Sequence, residues 1–245
     1  MRVECVDVDS SVIGRKVLSL YEFDPNADFP AFECSYRHEY DPVYVSCKIP
    51  LENIAEVHAL ERHGFNLIEC QIRSTKLLRK PYEVARYNFD FLEVTSETEL
   101  TNVLDIAATT FTHDRFSVDH ELGTAISGKR YQEYVRKSFR SPNEAVYRLV
   151  NRSTGQTVAF KTHLYQGNNE VLCLQGGVRV EKVNLGLGVV NDYFEQNELI
   201  RKGIKRITTH ISASNLPIFN LEIGDLGFRV IGTFAVLRKI YGQTR

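Results

Sequence analysis

Residues 178–188 read VRVEKVNLGLG and run directly into VVNDYFEQNELIRKG. A β-branched strand end, a glycine loop and a helix-patterned run thus stand in one unbroken stretch. A strand that turns through glycines into a helix N-terminus aims several backbone N–H groups at one point, and the helix dipole favours an anion there. By spacing alone, Gly186 and Gly188 fit two arrangements, a phosphate cradle and a plain tight turn. A dinucleotide-type cradle would add a third glycine and a ribose-binding acid about 20 residues on, and the sequence has neither.

The rest of the chain divides by pattern. After that helix, KRITTHISASNLPIFNLEIGDLGFRVIGTFAVLRKIY reads as a strand, a small-residue turn, a short helix starting near Pro217 and a two-stranded ending after Gly227. Upstream, SETELTNVLDIAATTF is a helix capped by Ser96 with Glu99 reaching back, and Leu100, Val103, Leu104 and Ala107 line one face. THDRFSVDHELG is too polar and aperiodic for an element and reads as a loop, followed by the helix pattern SGKRYQEYVRKSFRS. Nearer the start, VYVSCKIP and NLIECQIRSTKLL alternate as strands around a helix in PLENIAEVHALERHGF, closed by Gly64. This strand, helix, Gly-Phe, strand order is a reduced copy of the C-terminal half. The expected division lies near residues 80–90, giving an accessory α+β domain over 1–90 and a larger domain over 91–245.

Composition narrows the function classes. With 245 residues, 43% of them hydrophobic, the chain can bury one large core or two modest ones. A net charge of −1 supplies no general attraction to nucleic acid or anionic membranes. The opening MRVECVDVDSS lacks the apolar core of a secretory signal, and no apolar run reaches the roughly 18 residues of a membrane span. Five cysteines without a C-x-x-C pair read as free thiols of a reducing cytoplasm, with Cys173 on a buried strand. No His or Cys spacing suits a metal, since His58 and His63 would not share a helix face well. Neither G-x-S-x-G nor S-x-x-K marks a covalent nucleophile.

Val178 is followed eight and ten residues on by Gly186 and Gly188, SASN ends the next strand with Asn215, and Gly227 and Phe228 follow the short helix. On these residues, the chain from about Leu92 to Arg238 resembles the GNAT superfamily of acyl-CoA-dependent N-acyltransferases. The resemblance implies an α/β (α+β) fold, with a mixed, mostly antiparallel central sheet flanked by helices and a smaller N-terminal α+β domain. It also implies direct attack of an amine on acetyl-CoA or another acyl-CoA. The cofactor would be held by Val178, Val180, Val183, Asn184, Leu185, Gly186, Leu187, Gly188, Val189 and Asn215. A backbone N–H near Val178 would hold the oxyanion, with Gly177 allowing close approach. The chain departs from the family in three places. Val183 stands where Arg or Gln is usual, Glu222 occupies the register of the usual tyrosine proton donor, and Gly227-Phe228 comes one residue late.

A narrower resemblance covers the acceptor side. Phe111, DRFSVD and a helix with Tyr131 and Tyr134 are similar to the amino-sugar members of the superfamily, of the dTDP-fucosamine acetyltransferase type. It implies a nucleotide-linked amino sugar met by Phe111, Arg115, Phe116, Asp119 and Tyr131. His113 and Asp114 are candidates for deprotonating the amine, and Glu222 for protonating the thiolate if burial raises its pKa. A solvated Glu222 is the other reading. Arg130 and Arg136 meet phosphates or belong to an ordinary basic face. Two function classes stay open, an N-acyltransferase and a degenerate acyl-CoA-binding or partner-binding protein. A homodimer also stays open.

Overall fold

A computed structural model describes residues 1–111, 115–119, 121–122, 125–167, 169–179, 181 and 186–242. The chain begins β1 (Arg2–Cys5), α1 (Asp7–Ile13), β2 (Val17–Tyr21), α2 (Phe29–Tyr40), β3 (Tyr44–Pro50), α3 (Ile54–Arg62) and β4 (Asn66–Leu77). It continues β5 (Phe89–Glu93), α4 (Glu97–Thr110), α5 (Arg115–Val118), α6 (Ala125–Arg140), β6 (Glu144–Asn151), β7 (Thr157–Tyr165) and β8 (Glu170–Val178). It closes with α7 (Leu187–Arg201), β9 (Arg206–Ser212), α8 (Leu216–Asn220), a π-helical turn (Leu221–Asp225) and β10 (Arg229–Ile240).

The ten strands form one sheet in the order β1-β2-β3-β10-β4-β9-β8-β7-β6-β5. Among the described residues only β2–β3 and β8–β9 pair in parallel, each joined by a helical crossover, α2 in one case and α7 in the other. The two halves also end alike. β3, α3 and β4 are matched by β9, α8 and β10, and Gly64 (φ +83°) and Gly227 (φ +73°) each turn the chain ahead of a buried phenylalanine, Phe65 or Phe228. The positive φ suits only glycine without strain.

The last strands are exchanged between the halves. β10 lies between β3 and β4, and β4 lies between β10 and β9. Residue 90 therefore falls in β5, at a sheet edge, while the sheet runs unbroken through both halves. Two local expectations are corrected. The segment after Gly227 is one strand of 12 residues, with its register shifted between Val230 and Gly232 rather than broken into two. The polar loop holds the single-turn helix α5, whose Phe116 is wholly buried.

Cross-strand partners share a face, which fixes the layers. Leu18, Val45, Cys47, Ala235 and Leu237 form a core with Phe29 and Tyr36 of α2 and Leu60 of α3. Val171 and Ile207 face α7 on the same side, with Leu199 and Leu226. The opposite side carries α4 and α6 against Val146 and Phe160, with Tyr44 stacked on Phe116 of α5. Ser96 caps α4 by accepting from the Glu99 N–H, and Glu99 Oε2 accepts from the Thr95 N–H at 2.9 Å. Among the described residues no helix is long and apolar enough to cross a membrane.

Candidate active site

β8 and β9 hold together only from Glu170–Arg206 to Cys173–Thr209. Beyond that point β8 follows β7 to Val178 and β9 follows β4 to Ser212, so the two parallel strands part company. The Arg179 N–H donates to the Val158 carbonyl at 2.9 Å, which makes Ala159–Val178 the pair without mutual hydrogen bonds. The Val178 N–H therefore points away from β7 into the gap. Its carbonyl accepts from Thr110 Oγ1 at 3.3 Å. Gly177 is wholly committed to packing, since a Cβ there would stand 2.7 Å from Phe160 Cε1 and 2.9 Å from Thr110 Cγ2. Its smallness thus makes room for those side chains, not for a ligand, which corrects the role expected for it.

α7 starts beside this gap. Gly186 is its N-cap at φ +68°, and a Cβ on Gly186 or Gly188 would meet no atom within 4 Å. Space is therefore open beside both glycines in the first turn of α7. Leu187 is buried in the core, and Val189 follows Gly188 in the first turn. Val180, Val183, Asn184 and Leu185 lie outside the described residues, as do His113 and Asp114. Asn215 caps α8, its Oδ1 accepting from the Ile218 N–H at 3.4 Å, so a cofactor contact would fall to its Nδ2.

On the α7 side of the sheet lies a buried charge network that the sequence reading missed. Lys161 of β7 pairs with Asp192 and, at 3.1 Å, with Glu195, and His163 Nε2 lies 2.5 Å from Glu195 Oε1. Burial opposes ionisation of Glu195, but Lys161 and His163 hold its carboxyl below the usual range. Burial leaves Asp192 above its usual range, and it drives the Cys173 thiol far up. His163, Cys173 and Glu195 place ligand-type atoms within 4.8 Å of one another. The short His163–Glu195 contact and the adjacent Lys161 ammonium make this set a balanced ion network rather than a ready metal cage. The available signal was the i, i+2 pair Lys161 and His163 in the otherwise apolar VAFKTHL.

Glu222, in the π-helical turn, belongs to the same side. It is 8% exposed and accepts a hydrogen bond from Ser74 Oγ of β4 at 3.1 Å. Burial pushes its pKa up to about 8, opposed by Lys161 and assisted by Asp192. A carboxylic acid is thus held neutral at pH 7 next to the network. Gln175 Oε1 of β8 and Asn191 Oδ1 and Gln196 Nε2 of α7 are buried without a protein hydrogen-bond partner. Such orphaned amide atoms fit a ligand that brings its own amides, as the pantetheine arm of coenzyme A does.

A hollow of about 350 Å³ is lined by residues 68–70 of β4, Val118 of α5, Ser212 at the end of β9 and the next residues, Ala213 and Ser214. Phe111 and Tyr131 stack at 3.5 Å, with Phe111 edge-on to Phe160, so this pair borders the end of β8. Three acceptor-side expectations are corrected here. Phe116 is a core residue beneath Arg130. The Asp119 carboxylate is wholly buried and held in two-point contact by Arg238 of β10 at 2.8 and 3.1 Å, so it has nothing left to offer a sugar. Arg115 approaches Asp9 of α1 at 3.8 Å. Arg130, a proposed phosphate ligand, is likewise buried and paired with Asp9 at 2.7 Å. Arg136 faces Glu133 and a separate hollow against α1.

A mostly antiparallel sheet, two helical layers and a splayed parallel strand pair opening beside a glycine-led helix match the fold of solved GNAT proteins. The chain is similar, with a TM-score of 0.66 and 12% identity, to a GCN5-related N-acetyltransferase of Sphaerobacter thermophilus, over 97% of this chain and 76% of that one. It is similar to a tandem GNAT protein from the clavulanic acid biosynthesis pathway (TM-score 0.62, 13% identity, 95% and 77% of the two chains). A GCN5-related N-acetyltransferase of Kribbella flavida gives 0.60 and 16% identity over 94% and 83%. No family model and no curated protein sequence matches the chain.

Proposed function

We propose that the protein is an acyl-CoA-dependent N-acyltransferase. The observation that carries this reading is the gap between β8 and β9, entered by the Val178 N–H and opening beside the uncovered N-terminus of α7. The pyrophosphate of acetyl-CoA would meet the N–H groups around Gly186 and Gly188. The pantetheine arm would run along the gap, past the splayed end of β8 that carries the unpaired amide oxygen of Gln175. The neutral amine attacks the thioester carbonyl and the oxyanion is held by the Val178 N–H; as the C–S bond breaks, the leaving thiolate takes the proton of neutral Glu222, and the proton shed by the nitrogen returns Glu222 to its acid form. The acceptor enters from the opposite side of the sheet, past Phe111 and Tyr131. We assign the amine to a nucleotide-linked amino sugar on the strength of the sequence resemblance around Phe111 and Tyr131.

The rival, a protein that binds acyl-CoA without turning it over, is favoured by two features of the sequence: an acid, Glu222, stands where the family usually has a tyrosine, and Val183 stands where Arg or Gln is usual. Hydrogen exchange with and without acetyl-CoA tests the binding that both readings share. The expected result is slowed exchange in residues 174–178, 186–190 and 210–212. Protection elsewhere, with none in these segments, would refute both.

A further inference from the structure

The sheet face opposite α7 carries two cations, Lys48 and Arg73, that form no ion pair among the described residues. Thr209 pairs with Cys173 and Ser74 on the α7 side, so the next residue, His210, faces the other way, at the point where β8 and β9 separate. Its cross-strand partner is Arg73 of β4. Two strands further on, Lys48 of β3 lays its ammonium 4.3 Å above the Phe234 ring of β10 and donates to Gln71 Oε1 at 2.5 Å. His210 also lies edge-on to Phe234, at 6.5 Å. Among the described residues no carboxylate is within ion-pair distance of Lys48 or Arg73. The crowding is felt by both titrating groups. Burial, then Lys48 and Arg73, lowers the His210 pKa to about 4. Lys48 is brought down to about 8 by desolvation, with Arg73 and Arg115 adding and Glu69 opposing.

Resting on the acyl-transfer reading, we propose that the acceptor amine belongs to a molecule that also carries a carboxylate or phosphate, bound by Lys48, Arg73 and His210. Two of these residues come from the first ninety, which thereby supply the specificity of a reaction whose cofactor is held by the second half. The anion would add counter-charge beyond that of Glu69, which shares this face, with the planar guanidinium of Arg73 suited to two-point contact.

The test separates the anion site from the chemistry. Ring resonances of His210, assigned by their loss in His210→Gln, are titrated against pH in the free protein, with inorganic phosphate and with acetate. Lys48 and Arg73 act on it directly, and Glu69 and Arg115 act on Lys48 in turn, so an anion bound between Lys48 and Arg73 should raise its pKa by about one unit or more. Phosphate acting alone would mark a phosphoryl acceptor, and acetate acting alone a carboxylate. The rise should vanish in Arg73→Gln. In a parallel thiol-release assay, amines bearing an anion should exceed neutral amines of equal size by about tenfold or more in kcat/KM, and Arg73→Gln should erase that preference. An unmoved His210 with equal rates for both amines overturns the inference and leaves acyl transfer standing. A responsive His210 with no thiol release from any amine sustains the anion site and removes the acyl-transfer reading.

Discussion

Glu222 keeps its proton at neutral pH because burial takes away the water that would stabilise its charge. Its pKa of about 8 stands above the ordinary 4.5, so the folded state binds a proton that the unfolded chain has released. Stability therefore falls as pH rises from 4.5 to 8, and Glu222→Gln should flatten that slope in chemical denaturation. If Glu222 protonates the leaving thiolate, the rate should also fall above about pH 8, and the variant should lose most turnover together with that alkaline limb. An unchanged limb in Glu222→Gln would remove it from the mechanism. Arg130 makes the contrasting case. Removing its guanidinium leaves the fully buried Asp9 with Arg115, at 3.8 Å, as its remaining ion-pair partner among the described residues, so Arg130→Ala should cost about 3 kcal/mol in unfolding free energy. Arg136→Ala, at a surface pair, should cost less than about 1 kcal/mol. Equal losses would contradict the assignment of Arg130 as a tie between α6 and α1.

At the scale of elements, the first turn of α7 is the part to perturb. Gly186→Val would strain a residue at φ +68°, whereas Gly188 has no such φ and faces open space. Gly188→Glu should retain or slightly raise stability, since a carboxylate suits a helix N-terminus. It should weaken acetyl-CoA binding by about tenfold or more through repulsion of the pyrophosphate, and undiminished affinity by calorimetry would rule out the cradle. Much of this element pattern was legible in the sequence. Ser96 and Glu99 announce α4, the glycines announce the start of α7, and Gly64-Phe65 against Gly227-Phe228 announces the doubled ending. What stayed hidden is long-range. Lys161 and Asp192 meet across β7 and α7, Arg238 claims Asp119, and β1, α1 and β2 are too short to show a period. Local pattern reports which face of an element is buried but not which charge lies opposite it.

Over the whole molecule, the exchange of β4 and β10 makes the two halves depend on each other. Cutting at residue 90 would remove β4 from between β9 and β10 and leave both with exposed edges. Residues 91–245 expressed alone should therefore aggregate, and the same two segments expressed together should reassemble. A native-like circular dichroism spectrum from 91–245 alone would show that the exchange is dispensable. The same continuity brings Lys48 and Arg73 beside the gap between β8 and β9, so cofactor and acceptor would meet across a seam built from both halves. The most direct measurement is release of free thiol from acetyl-CoA by the full chain, with and without a panel of amines that includes a nucleotide-linked amino sugar, a free amino sugar and an alkylamine. The account predicts thiol release that depends on the amine and is fastest for the acceptor carrying phosphate. Thiol release at the background rate with every amine, from a protein that binds acetyl-CoA, would contradict it.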